Sequence, residues 1–163
     1  MKTGSKGKAI IKKWEMLKLK AYMCPAKRLT IGYGHTAGVK EGDTCTEAQA
    51  DEFLAQDLHD AEMAVNNASQ RLNQNQFDAL VSLVYNIGSG NFSRSPVRER
   101  VIKNHESALI AEAFLKHVNI RAAADGKDND ADGIIDEPGE VQKLTGLENR
   151  RKSEIALYFS KEA

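Results

Sequence analysis

The chain has 163 residues, which fits one cooperative folding unit and excludes two independent domains of ordinary size. Hydrophobic residues at 41% and charged residues at 28% lie near globular averages and exclude a disordered or fibrous chain. The formal net charge of zero gives no overall drive toward nucleic acid or membrane, yet it conceals a separation: residues 1–40 hold ten Lys or Arg against Glu15 alone, and residues 125–140 hold seven acids against Lys127 alone.

The basic end contains no apolar run longer than Ala9-Ile10-Ile11, so neither a signal peptide nor a membrane anchor is expected. A basic lobe suits an anionic polymer, for which a bacterial wall qualifies as well as nucleic acid does, and a solvated basic face is the plain alternative. Ala9, Ile10, Trp14 and Leu17 recur at helical spacing, which predicts a short amphipathic helix over about 5–14 that arrives at Glu15. From Lys20 to Val39, β-branched and aromatic residues alternate with glycines (Leu29-Thr30-Ile31-Gly32-Tyr33-Gly34), predicting short strands and tight turns.

Thr46 with Gln49 forms a capping-box pattern, opening a helix to about Asn67 whose stripe is Phe53, Leu54, Leu58, Ala61 and Val65. Asn73 with Gln76 opens another, which buries Phe77, Leu80, Val81 and Val84 and stops at Gly88. Ser95-Pro96 is an N-cap and first-turn proline for a short helix to Asn104. Glu106–Val118 and Gly146–Ser160 supply the last two helices. The result is an α+β arrangement, mainly helical with one small sheet.

Cys24 and Cys45 have no CxxC spacing and make no disulfide framework, which suits a reducing compartment; a single bridge between them stays open. Glycosidic cleavage needs a carboxylic acid to protonate the leaving oxygen, and commonly a second group on the opposite face of the sugar. Glu15, beside Trp14 and just before the sheet region, is the candidate acid. The bland alternative is a surface Glu paired with Lys12 or Lys18 along a helix. His35, next to turn glycines, reads as a hydrogen-bonding strut rather than an acid or base, and Tyr33 as packing.

The text Glu15 through Leu17, Ala21-Tyr22, Cys24 and Thr30-Ile31-Gly32-Tyr33-Gly34-His35 resembles the phage-type lysozymes, glycoside hydrolase family 24. That family is marked by a Glu, eight intervening residues, an Asp or Cys, five more, and a Thr, matched here by Glu15, Cys24 and Thr30. Asn75 to Leu80 with Tyr85-Asn86-Ile87-Gly88 looks like its central helix, and Gly146-Leu147 with Arg150-Arg151 and Glu154 like its C-terminal helix. The resemblance implies a lysozyme-like fold: a small sheet lobe (about 12–45) and a larger helical lobe (about 68–163), joined by a long helix (about 46–67) with the cleft between. It also implies a muramidase, acting on the β-1,4 bond between N-acetylmuramic acid and N-acetylglucosamine. In that scheme Glu15 is general acid, Cys24 the group on the opposite face, and Thr30 the hydroxyl that positions water. Most relatives carry a carboxylate where Cys24 stands; a thiol titrates at about 8.5 against about 3.9 for Asp, which leaves inversion versus retention open.

Residues 122–143 depart from the family pattern. Asp128, Asp130, Asp132, Gly133 and Asp136 repeat the DxDxDG core of a calcium loop, with Ile134 offering its backbone oxygen and Glu140 standing one place beyond the usual twelfth-position ligand. A solvated acidic loop is the alternative. The expectations are therefore a structural calcium, no cofactor for catalysis, peptidoglycan as partner, no nucleic acid, no membrane insertion, a monomer, and synthesis in a host cytoplasm with release to the wall by another factor. Two other functions stay open: a lytic transglycosylase, for which one Glu suffices, and a non-catalytic, calcium-dependent wall-binding module.

Overall fold

A computed structural model describes residues 1–24, 27–121, 141–143 and 145–161. The first helix, α1 (Ser5–Glu15), starts at Gly4, which has no side chain with which to cap it. The cap comes from elsewhere: the Asp78 carboxylate accepts from the Gly4 N–H at 2.8 Å and the Gly7 N–H at 2.9 Å. A Cβ on Gly7 would lie 2.8 Å from Asp78 Cβ, so this approach requires glycine. The clamp sets the rotation of α1, and its buried face is Gly7 and Ile11 rather than the expected Ala9-Ile10-Trp14 stripe. Ala9 is exposed, and Ile10, Trp14 and Leu17 are half-buried.

Beyond Met16 the chain enters an antiparallel hairpin of β1 (Lys18–Met23) and β2 (Leu29–Gly32), paired Lys18↔Gly32, Tyr22↔Thr30 and Met23↔Leu29 with an irregularity between the first two pairs. The Cys45 N–H donates to the Leu19 carbonyl and the Ala21 N–H to the Asp43 carbonyl, so the segment leading to the next helix lies along the free edge of β1.

That helix, α2 (Glu47–Ala68), opens on the expected capping box, with Thr46 and Gln49 each accepting the other's backbone N–H. Its 22 residues span about 33 Å and bury Leu54, Leu58, Ala61 and Val65. Near its start Ala50 packs on Gly32 of the hairpin. The central helix α3 (Gln74–Ile87) repeats the device with Asn73 and Gln76, buries every residue from Asn75 to Val84, and stops at Gly88, whose φ of 84° suits glycine. It packs against α1, α2 and the closing helix α7 (Thr145–Tyr158). Between these lie α4 (Ser89–Ser93), which the sequence reading did not anticipate, α5 (Pro96–Lys103), capped by Ser95 as expected, and α6 (Leu109–Leu115). Phe77, Leu80, Phe92, Val97, Val101, Ile110, Phe114 and Tyr158 belong to one core.

Two expectations are corrected. The predicted helix over 106–118 is confined to α6, because Asn104 and Ser107 accept the N–H groups of Glu106 and Leu109 and hold the preceding residues in turns. The expected single sheet is two: Asn119–Arg121 (β3) pairs antiparallel with Val141–Lys143 (β4), forming a ribbon at the ends of the acidic insertion. Among the described residues no helix is long and apolar enough to cross a membrane.

Candidate active site

Glu15 is the last residue of α1. The next residue, Met16, adopts φ 57° and ψ 132°, a conformation that ends the helix and that side-chain-bearing residues rarely take. The Glu15 side chain keeps 25% of its surface exposed and places Oε1 2.6 Å from Nη1 of Arg150 on α7. The surface pairing along α1 is not what forms, since Lys12 binds Asp51 of α2 instead.

Arg150 is itself buried, and each nitrogen of its guanidinium is engaged: Nη1 donates to Glu15, Nε to Glu154 at 3.2 Å, and Nη2 to the Ser82 carbonyl at 3.3 Å. Glu154, which has no exposed surface, is the hub behind the site. Its Oε1 accepts from Ser82 Oγ at 2.7 Å, from Arg150 Nε, and from Arg151 Nη2 at 3.1 Å. Arg151 Nε lies 2.8 Å from Glu154 Oε2, close enough to ion-pair but off hydrogen-bond geometry. Burial pushes the Glu154 carboxyl up, against the pull of Arg151 and Arg150; burial brings Arg151 down to about 10, against the pull of Glu154, so it stays cationic at neutral pH. Arg151 Nη2 also donates to Asn86 Oδ1 at 3.0 Å. Sequence reasoning quoted Arg150, Arg151 and Glu154 but gave them no role. The available signal was their spacing, since residues three and four apart share a helix face.

In front of Glu15 lies a cavity of about 290 Å³, lined by Glu15, Gly34, Thr36, Asp57, Tyr85 and Asn86. Gly34 holds φ 107°, available to glycine alone at little cost. Tyr85 donates its hydroxyl to the Tyr33 carbonyl at 2.9 Å, and burial raises the pKa of that hydroxyl, so it remains protonated. His35 is the expected strut: Nδ1 meets the Asp57 carboxylate at 2.9 and 3.0 Å, Nε2 meets the Ala37 carbonyl at 3.0 Å, and the ring stacks on Phe53 with centroids 4.5 Å apart. Tyr33 is buried packing, as read. Asp57, Thr36, Tyr85 and Asn86 were not singled out for chemistry, because nothing local to α2 or α3 shows that they face Glu15.

Cys24 and Thr30 are brought together with each other at the end of the hairpin where β1 passes to β2. The Arg28 carbonyl accepts both the Cys24 N–H at 2.9 Å and the Thr30 Oγ1 hydroxyl at 3.1 Å. Cys24 is half-buried and Thr30 buried. Neither is among the described residues lining the cavity beside Glu15. No disulfide joins Cys24 to Cys45. The calcium candidates Asp128, Asp130, Asp132, Ile134, Asp136 and Glu140 lie outside the described residues, and among the described residues no group of three or more His, Cys, Asp or Glu is placed to hold a metal.

Residues 12–154 match the family model described as phage lysozyme. An endolysin of Acyrthosiphon pisum secondary endosymbiont phage 1 is 37% identical over 161 residues, covering 98% of this chain and 99% of that protein. The endolysin of Salmonella phage P22 is 40% identical over 122 residues, 71% of this chain and 82% of its own. Among solved structures, the muramidase domain of SpmX from Asticaccaulis excentricus superposes with a TM-score of 0.85 at 34% identity, covering 98% of this chain and 99% of that one. An endolysin from Escherichia coli O157:H7 phage FAHEc1 does so with a TM-score of 0.82 at 32% identity, covering 98% and 94%.

Proposed function

Because the chain belongs to the phage lysozyme family and is a peptidoglycan-hydrolysing enzyme, we propose that Glu15 is the proton donor that cuts the glycan strand in the cavity before it. The observation that carries this is the held carboxylate: Glu15 lies on the cavity wall with Oε1 fixed at 2.6 Å by the buried Arg150. Oε2 is then the oxygen available to the glycosidic oxygen, and the fixed guanidinium stabilises the carboxylate left after the proton has gone. The bond proposed is the β-1,4 link between N-acetylmuramic acid and N-acetylglucosamine.

Departure of the leaving sugar creates positive charge on the ring, and an incoming oxygen completes the reaction. We assign Cys24 to the opposite face of the sugar and Thr30 to the water. The Thr30 hydroxyl donates a hydrogen bond to the Arg28 carbonyl, which leaves its own oxygen to accept a hydrogen bond from a water. The same carbonyl holds the Cys24 backbone, so one backbone atom fixes both groups relative to each other. We further propose that the enzyme reaches the wall after release by another factor, and acts as a monomer.

The test compares wild type with Glu15→Gln on purified peptidoglycan, with the released muropeptides weighed by mass spectrometry. Glutamine keeps the shape and cannot donate the proton, so lysis should fall by at least about a hundredfold. Undiminished lysis would overturn the assignment of Glu15. Products lighter by one water than reducing-end muropeptides would replace hydrolysis by transglycosylation.

A further inference from the structure

Glu15 and Asn86 line the same cavity, and behind the wall they are the two ends of one string of contacts. It runs from Glu15 Oε1 to Arg150 Nη1 (2.6 Å), Arg150 Nε to Glu154 Oε1 (3.2 Å), Glu154 Oε1 to Arg151 Nη2 (3.1 Å) and Arg151 Nη2 to Asn86 Oδ1 (3.0 Å). Its three inner members are buried, Arg150 at 3% exposure and Arg151 and Glu154 at 0%. Arg151 Nε and Nη1 and Glu154 Oε2 have no hydrogen-bond partner among the described residues, so the arrangement is held by the four contacts of the string, the close Arg151–Glu154 ion pair and the packing around it.

The chemistry at the Asn86 end follows from what a guanidinium can do. It has donors only, so the amide atom facing Arg151 must be the oxygen. The amide cannot flip, and its NH2 group is turned away from Arg151; among the described residues no partner of that NH2 is recorded, and Asn86 is exposed on the cavity wall. We propose that Asn86 is a substrate-specificity residue, donating Nδ2–H to the acetamido carbonyl oxygen of a sugar bound beside Glu15, and that Arg151 is the positioning residue that holds it so. A neutral acceptor is favoured over a stem-peptide carboxylate, because Glu15 and Asp57 already place two acids on the same wall. The string then ties the recognising amide and the proton donor to one buried carboxylate, which fixes the acetamido group and the scissile oxygen in one frame.

This inference rests on the reading of Glu15 as proton donor, and its test separates the two. Kinetics are measured on fully N-acetylated glycan strands and on chemically de-N-acetylated strands, with wild type, Asn86→Ala and Asn86→Asp. The aspartate keeps an oxygen toward Arg151 and removes the donor. On N-acetylated strands both variants should raise KM about five- to tenfold, as for one lost hydrogen bond, with kcat within about twofold. On de-N-acetylated strands the gap between wild type and Asn86→Ala should close to within about twofold. Arg151→Lys, which keeps a charge beside Glu154 without the planar fork, should raise KM similarly, with no further loss when combined with Asn86→Ala. Should wild type cut the de-N-acetylated strands too slowly to assay, the Kd ratio between Glu15→Gln and Glu15→Gln/Asn86→Ala on the two strands reads the same coupling. An unchanged KM, or an equal loss on both strands, overturns the role of Asn86 while leaving Glu15 untouched; full lysis by Glu15→Gln alone overturns the reading beneath it.

Discussion

The start of α1 depends on a carboxylate from another helix, and replacing Asp78 by alanine measures how much. Asp78 is 1% exposed and accepts from the Gly4 N–H at 2.8 Å and the Gly7 N–H at 2.9 Å, both at the positive end of the helix. A hydrogen bond to a charged group contributes about 1.5–3 kcal/mol, and two of them lost with their donors left behind cost about 3–6 kcal/mol. The third donor, Gln74 Nε2 at 2.7 Å, also donates to the Lys2 carbonyl at 2.9 Å, and as a neutral donor on a part-buried side chain it adds less than either backbone N–H. For a chain of this size each kcal/mol shifts the melting midpoint by about 2–4 °C, so Asp78→Ala should melt about 6–24 °C lower. Asp78→Asn keeps one acceptor oxygen and should lose roughly half as much, and Gln74→Ala less than about 1 kcal/mol. Calorimetry with urea denaturation at neutral pH gives the values. Well below the new midpoint Glu15 is still held by Arg150, so the lytic rate should drop less than about tenfold. A loss below about 1 kcal/mol for Asp78→Ala would refute the idea that α1 is capped from α3.

Four further outcomes are expected. Burial pushes the Glu62 carboxyl up, but Lys2 and the Thr3 N–H and hydroxyl outweigh it and leave the pKa below 4.5. Its stabilisation is therefore present above pH 4.5 and lost as pH falls through the lowered value, so the gap in urea midpoint between wild type and Glu62→Gln should shrink in acid; a gap that widens would reverse the sign. Met16→Gly relieves a backbone with φ 57° and should raise stability by about 1 kcal/mol, checked by chemical denaturation. Cys24→Ala should lower turnover on purified walls by at least about tenfold, and near wild-type turnover would make the thiol a bystander. If residues 128–140 take calcium, melting should rise with added calcium and fall with chelator, and identical curves would remove that proposal.

What could be read in the sequence was what is local to it. The boxes at Thr46/Gln49 and Asn73/Gln76 and the Ser95-Pro96 start each depend on residues within three positions, and all three helices begin where those signals stand. His35 was legible as a strut from its turn glycines, though its partner Asp57 was not. The partners that shape the site are distant along the chain: Arg150 reaches Glu15 across 135 positions, and Asp78 reaches Gly7 across 71. Nothing in the text near residue 7 reports that a carboxylate from α3 sets the rotation of α1, so the apolar face was placed one residue out, on Ile10 instead of Ile11. Periodicity likewise ran α6 too long, because it does not weigh the Asn104 and Ser107 side chains that compete for the backbone. Cys24 and Thr30 were singled out by the family resemblance alone, and what the fold adds is that both bond the Arg28 carbonyl.

Antiparallel pairing of Arg121 with Val141 returns the chain beside the point from which it departed. Residues 122–140 thus leave and rejoin the described fold at one doorway, and closing a loop grows costlier only with the logarithm of its size. The acidic text is in this sense a cassette. A two-residue Asn-Gly turn bridging the same ribbon should leave the wall-cutting activity whole, so that other segments can be exchanged there without redesigning the enzyme.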